Sequence, residues 1–280
     1  MKYALMNTHH RFYTLDSFFK HAHENGAKYV ELWLGPMHFY VDYNGYEDIQ
    51  RLQDLQRMYD VQIIGICPEQ TNPKPNNVAT GNEDAKKRVF SYFKNAIDLA
   101  KAVNAGFVVV TPGWSYYDES VEEARNRSAS MLHKLADYAK QQGIILAIEA
   151  LQNRESRIAN SASELAEFLS LVNHDNVKVC LDIGAMVAAK DSVDTYFKVF
   201  NNRIQHCHFV DGKPTGHMAL GDGELDLPTM LDQFNKHHYG GFYSFETVDR
   251  MTYANPAQAD AQSIAYFEVL KQKKGVSYDR

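Results

Sequence analysis

The chain has 280 residues, of which 45% are apolar, and a formal net charge of −6. That is apolar material enough for one large core, and barrels of this length need not divide, so residues 1–280 read as a single domain. A negative balance without a block of basic residues argues against nucleic acid as a partner. No apolar run approaches the ~20 residues of a bilayer-spanning helix, which argues against a membrane.

In chain order, eight short apolar or β-branched runs read as strands: Tyr3–Thr8, Tyr29–Trp33, Gln62–Cys67, Phe107–Thr111, Ile144–Leu151, Val177–Ile183, Ile204–Asp211 and Phe242–Val248. Helical periodicity fills the gaps between them. Val89, Phe93, Ala96, Ile97 and Ala100 share one face, as do Met131, Leu132, Leu135, Tyr138 and Ala139. Asp118 or Ser120 can cap the helix that carries the second set, and Ser161–Glu164 has the spacing of a capping box. Gly26, Gly106, Gly143 and Gly240–Gly241 each precede a strand, where a glycine can end a helix in the left-handed conformation. Strand and helix alternating eight times, with strands apolar on both faces, predict parallel βα units closed into an α/β (β/α)8 barrel, a TIM barrel. An open doubly wound sheet would carry a glycine-rich turn after its first strand, and MNTHHRF has no glycine. Cys67, Cys180 and Cys207 lie in apolar runs without a CxxC, and the opening MKYALMNTHHRF has no apolar leader. Both point to buried, reduced thiols in a cytoplasmic protein.

In such barrels chemistry gathers at the carboxyl ends of the strands. Four consecutive runs end there in a polar group that interrupts an apolar stretch: Glu149 in LAIEAL, Asp182 in VCLDIG, His208 (with Asp211) in HCHFVD, and Glu246 in YSFETV. Any one of them could be a core acid with a private partner. Four in step need a cation or each other, because a buried unpaired carboxylate is expensive. Three carboxylates and an imidazole suit one divalent ion, Mn2+, Mg2+ or Co2+, with Zn2+ possible. His206 and His208 share a strand face, and His206 is placed one layer deeper as a hydrogen-bonded core residue. Trp114 and Trp33 stand at strand ends where an aromatic ring can stack on a bound molecule, and His9 and His10 follow the first strand towards the pocket. The polar, proline-stiffened stretch 68–77 is placed over the mouth of the site.

IEALQNRES, CLDIGAM, HCHFVDG with GHMALGDGELD, and FETV together resemble the xylose-isomerase-like barrels of the sugar epimerase and isomerase group, along essentially the whole chain. Within that group ELWLGPMH and IIGICPEQTN are nearest to the ketose 3-epimerases, the fructoselysine 3-epimerases among them. The resemblance implies an isomerase with one metal held by Glu149, Asp182, His208 and Glu246. It also implies that Glu149 and Glu246 act as acid and base on opposite faces of a small-molecule sugar, moving the C3 proton of a ketose through a cis-enediolate. It places Glu155 and His217 on the substrate and leads one to expect a homo-oligomer that covers the active-site mouth. Many free-ketose epimerases carry a histidine three residues after the sixth-strand aspartate. Ala185 stands there, which fits a different or larger substrate. An aldose–ketose isomerase on the same scaffold shares the chemistry. An endonuclease IV-type nuclease would want an Asp-x-His where this chain has Thr215–Gly216–His217, and a non-catalytic sugar-binding barrel would tolerate loss of one glutamate.

Overall fold

The computed structural model describes residues 1–70 and 74–272. Eight strands close a parallel barrel in sequence order, β1-β2-β3-β4-β5-β6-β7-β8. They are β1 (Lys2–Met6), β2 (Tyr29–Trp33), β3 (Gln62–Cys67), β4 (Phe107–Val110), β5 (Ile145–Glu149), β6 (Val177–Asp182), β7 (Ile204–His208) and β8 (Phe242–Phe245). β2 and β3 have the bounds read from sequence. β1 and β4 to β8 stop short of theirs at the carboxyl end, and Glu149, Asp182 and His208 are the last paired residues of β5, β6 and β7. The helices are α1 (Leu15–Glu24), α2 (Ile49–Tyr59), α3 (Glu83–Ala102), α4 (Val121–Gln142), α5 (Ala162–Val172), α6 (Ile183–Ala188), α7 (Val193–Phe200), α8 (Leu227–Lys236) and α9 (Pro256–Gln272).

The faces of α3 and α4 fall as the periodicity predicts, Tyr138 alone of the ten being only half-buried. Ser120, not Asp118, caps α4, and Ser161 and Glu164 form a full capping box on α5. The glycine device holds at two of its four positions: Gly26 and Gly143 are left-handed, at φ 77° and 74°. Before β4 and β8 the left-handed residues are Asn104 (φ 60°) and His238 (φ 52°), so Gly106 and Gly240–Gly241 do not make those turns. A short polar side chain can offset the strain locally.

Two apolar layers result. The larger lies between strands and helices. The smaller fills the barrel, with Ala4, Met6, Ile64, Phe107, Val109 and Ala147 among its members. Gly65 makes that filling possible, since a Cβ there would stand 2.2 Å from the Phe107 ring. Phe107 in turn packs on His206, ring centroids 4.4 Å apart. This apolar plug closes the amino-terminal half of the barrel, so polar groups on inward positions above it have only the carboxyl-terminal mouth to face.

Candidate metal centre and active site

β5, β6, β7 and β8 bring the four sequence-predicted ligands together. One donor atom each from Glu149, Asp182, His208 and Glu246 lies within 4.8 Å of the others, with Asp182 and His208 paired in register across β6 and β7. His208 Nδ1 stands 2.9 Å from Glu149 Oε1 and 3.0 Å from Glu246 Oε2. His217 Nε2 bridges Asp182 Oδ2 at 3.1 Å and Glu246 Oε2 at 3.3 Å. The other oxygen of Asp182 accepts the backbone N–H of Ala185, capping α6 at 2.5 Å and fixing the carboxylate's rotamer.

One participant was not singled out from sequence. Glu31, in the middle of β2, is fully buried and accepts from His206 Nε2 at 2.7 Å and from His208 Nε2 at 3.2 Å. Burial opposes its charge, but His208 and His206 outweigh that and hold its carboxyl far below the usual range. An ionised carboxylate only accepts, so both Nε2 atoms carry the proton. With Nε2 committed to Glu31, Nδ1 is the nitrogen that faces Glu149 and Glu246; it donates to them as an imidazolium, and a bound ion would take the place of that proton. The signal was in YVELW, an acid interrupting an apolar run, but mid-strand rather than at its end.

The two glutamates are electrostatically unlike. Burial pushes the Glu149 carboxyl up to about 7 against the pull of His208, with Glu246 and Asp182 adding to the rise. Burial also opposes charge on Glu246, but His208 and His217 hold it well below the usual carboxylate range. Cys180 also lies within reach of Glu149 and His208, and burial pushes its thiol up to about 12, so without a metal it stays protonated. The donor set that remains, one imidazole nitrogen and three carboxylates converging on one point, fits a divalent cation.

Glu149, Asp182 and Glu246 line a cavity of about 590 Å3 at the mouth of the barrel, whose wall includes Glu155, His217, Trp33 and Arg11. Glu155 is half-buried, its Oε2 accepting the Gln152 N–H at 3.0 Å, and burial raises its carboxyl above the ordinary value. Ala185 also lines this cavity. Glu69 and Lys74, which flank residues 71–73, contribute to the wall; the central part of the stretch expected over the mouth lies outside the described residues.

Two expected substrate contacts are placed elsewhere. His10 is absent from the cavity lining. It is fully buried with its Nε2 2.7 Å from Asp260 Oδ2, and His9 contacts the other oxygen of Asp260 at 3.0 Å. The turn at Thr8–His10 rotates both rings away from the mouth and towards α9. Trp114 lines a neighbouring cavity of about 340 Å3 with Tyr116, Tyr117 and Arg157, which shares Arg154 and Glu155 with the central one. The Asn77 side chain ties the Trp114 backbone at that position, accepting its N–H at 3.0 Å and donating to its carbonyl at 2.8 Å. Asp211 organises the loop after β7 by accepting the N–H groups of Gly212, Gly221 and Leu225.

The sequence matches the family model described as Xylose isomerase-like TIM barrel over residues 19–270, and the chain belongs to that family. It is 28% identical over 272 residues to fructoselysine 3-epimerase of Shigella flexneri, covering 96% of this chain and 98% of the relative. Its fold superposes with a TM-score of 0.80 on D-psicose 3-epimerase from Clostridium cellulolyticum H10 solved with D-tagatose, at 16% identity, covering 97% of this chain and 99% of that one. It superposes equally well, TM-score 0.80 at 18% identity over 98% of this chain and 99% of the other, on the IOLI protein solved with a bound zinc atom. No helix among the described residues is long and apolar enough to cross a membrane.

Proposed function

We propose that this member of the xylose isomerase-like barrels is a divalent-metal-dependent 3-epimerase of ketoses, fructosamine-type ketoses included. The observation that carries the reading is the convergence of Glu149 and Glu246. They reach the same imidazole nitrogen, His208 Nδ1, from strands β5 and β8, at 2.9 and 3.0 Å, on the floor of a cavity sized for a sugar.

Glu149, Asp182, His208 and Glu246 would hold the ion, which when bound supplies a Lewis acid for the negative charge that develops on the sugar oxygens during proton loss. One glutamate takes the C3 proton as the bonding pair moves into the adjacent carbonyl, giving a cis-enediolate. The other returns a proton to C3 from the opposite face as the carbonyl re-forms. No redox partner is needed, and a planar intermediate explains how configuration inverts. Asp182 is oriented by the Ala185 N–H, His208 by Glu31, and Glu155 and His217 offer polar atoms to sugar hydroxyls from the cavity wall. Ala185 leaves room beside the sixth strand, and the relative in Shigella flexneri is named for a ketose with an appended amino acid; both favour a substrate larger than a free hexose. Three free buried cysteines fit a reducing, cytoplasmic setting.

The test is hydrogen exchange in D2O followed by proton NMR, with metal-loaded protein, a panel of fructose, tagatose, psicose, fructoselysine and ketopentose phosphates, and Glu246→Gln as control. Exchange at C3 that the variant loses is the expected result. Exchange at C1 or C2 would make the protein an aldose–ketose isomerase instead, and no exchange on any ketose would remove the reading.

A further inference from the structure

Arg11 is a guanidinium of the cavity wall that the fold holds rigidly and that has no ion-pair partner among the described residues. Its guanidinium carbon lies 5.2 Å from the Trp33 ring centroid and 4.9 Å from that of Tyr253, and Nε donates to the Thr8 carbonyl at 3.0 Å. Each of these supports is itself fixed. The Trp33 N–H donates to Asn7 Oδ1 at 2.7 Å, and its ring lies where a Cβ on Gly35 would stand 2.2 Å away. The Tyr253 hydroxyl donates to the Val248 carbonyl at 3.2 Å, and the Thr8 hydroxyl to the Thr247 carbonyl at 2.6 Å.

Nη1 and Nη2 of Arg11 have no acceptor among the described residues, although acids line the same cavity. Those acids are engaged elsewhere. Glu69 pairs with Lys74 at 2.6 Å, Asp182 and Glu246 face His217, Glu149 faces His208, and Asp249 accepts the Met251 N–H at 3.0 Å. Stacking keeps a guanidinium planar and oriented without using its terminal donors, and such a fork matches the two oxygens of a carboxylate or phosphate. A free hexose has no oxyanion, so a sugar alone would leave this fork unused.

Resting on the 3-epimerase reading, we propose that Arg11 determines specificity by receiving a terminal oxyanion, carboxylate or phosphate, on a group appended to the ketose. The sugar then sits over the four-residue floor while the far end of the substrate is held against the loops that follow β1 and β8.

Three fructosamines of matched length test this, made from n-butylamine, 4-aminobutyrate and 3-aminopropylphosphonate. Their dissociation constants are measured by calorimetry, and their C3 exchange by NMR, on metal-loaded wild type, Arg11→Ala and Arg11→Lys. In the wild type an oxyanion tail tightens binding over the butyl tail about 10- to 100-fold. That ratio falls to near one in Arg11→Ala. It takes an intermediate value in Arg11→Lys, which keeps the charge but not the fork and decides the matter if the alanine variant does not fold. The better of the two charged tails identifies the group. A wild-type ratio near one, or a ratio that survives both substitutions, overturns the proposal. Absence of C3 exchange on all three compounds and on the free ketoses would sink the epimerase reading, while the binding ratios would still decide the role of Arg11.

Discussion

Glu31 on β2 holds His208 on β7 from behind, Oε1 to Nε2 at 3.2 Å, in a part of the barrel closed to solvent. The carboxylate fixes Nε2 as the nitrogen that keeps its proton when Nδ1 takes a metal, and His206 fixes the carboxylate. Replacing Glu31 by Gln keeps the shape but removes the charge that selects the tautomer. Divalent-metal affinity is expected to fall about 10- to 100-fold, the usual cost of losing a partner behind a ligating histidine. Chelator competition on the two proteins measures it. An affinity equal to wild type would mean that packing alone orients His208.

Glu149 and Glu246 act as a unit if one removes and the other returns a proton. Each Gln substitution should then lower the C3 exchange rate by about 10^2- to 10^4-fold, the range of general acid–base contributions. The double variant should be little worse than the poorer single one, because a relay missing one member gains nothing from the second. Multiplicative losses would instead assign the two residues to independent tasks.

The raised Glu149 carboxyl gives the metal-free protein a pH signature. Its folded value, about 7, lies above the ordinary 4.5, so the fold favours the protonated form. The stability this contributes is complete below about 4.5 and is lost as pH rises from there to about 7. Glu246, depressed by its histidines, works in the other direction and loses its contribution only as pH falls below the ordinary carboxylate value. The raised His208 and His217 lose theirs above the ordinary 6.5. His10, His38 and His206, lowered by burial, gain stability over the same window, so the signature is read as a difference: in chelated protein the melting temperature of Glu149→Gln should rise relative to wild type between pH 4.5 and 7. Metal affinity should climb over the same window, as the ion displaces the Glu149 proton. A difference between the two proteins that stays constant over that range would show that Glu149 is already ionised.

What the sequence disclosed follows from what is local. Strand and helix periods are local, and so is an acid breaking an apolar run at a strand end. The barrel and Glu149, Asp182, His208 and Glu246 could therefore be read directly. Glu31 carries the same signature, but nothing within YVELW says that an imidazole from 177 residues further on will meet it. Arg11 looks like any loop arginine until Tyr253 closes over it. His10 was misplaced for the same reason: its partner, Asp260, lies 250 residues away, and only the closed barrel brings α9 beside the turn that follows β1.

That last contact is a clamp between the two ends of the fold. Asp260, His9 and His10 are all buried, with Nε2 atoms 3.0 and 2.7 Å from the two carboxylate oxygens. Burial opposes the charge on Asp260, but His9 and His10 hold its carboxyl below the usual range. Burial lowers His10 below its own usual value despite the acid. Removing the carboxylate takes the acceptor of His10 and the charge that His9 faces, at a cost of about 3–5 kcal/mol for a broken buried pair. Asp260→Ala should therefore unfold at markedly lower denaturant, while its C3 exchange rate per folded molecule stays that of wild type, since none of the three residues lines the cavity. Because two imidazoles and a carboxylate can also ligate, metal content separates the two roles. A clamp leaves one divalent ion per chain before and after the substitution. Two equivalents in wild type falling to one in Asp260→Ala would make this cluster a second metal site.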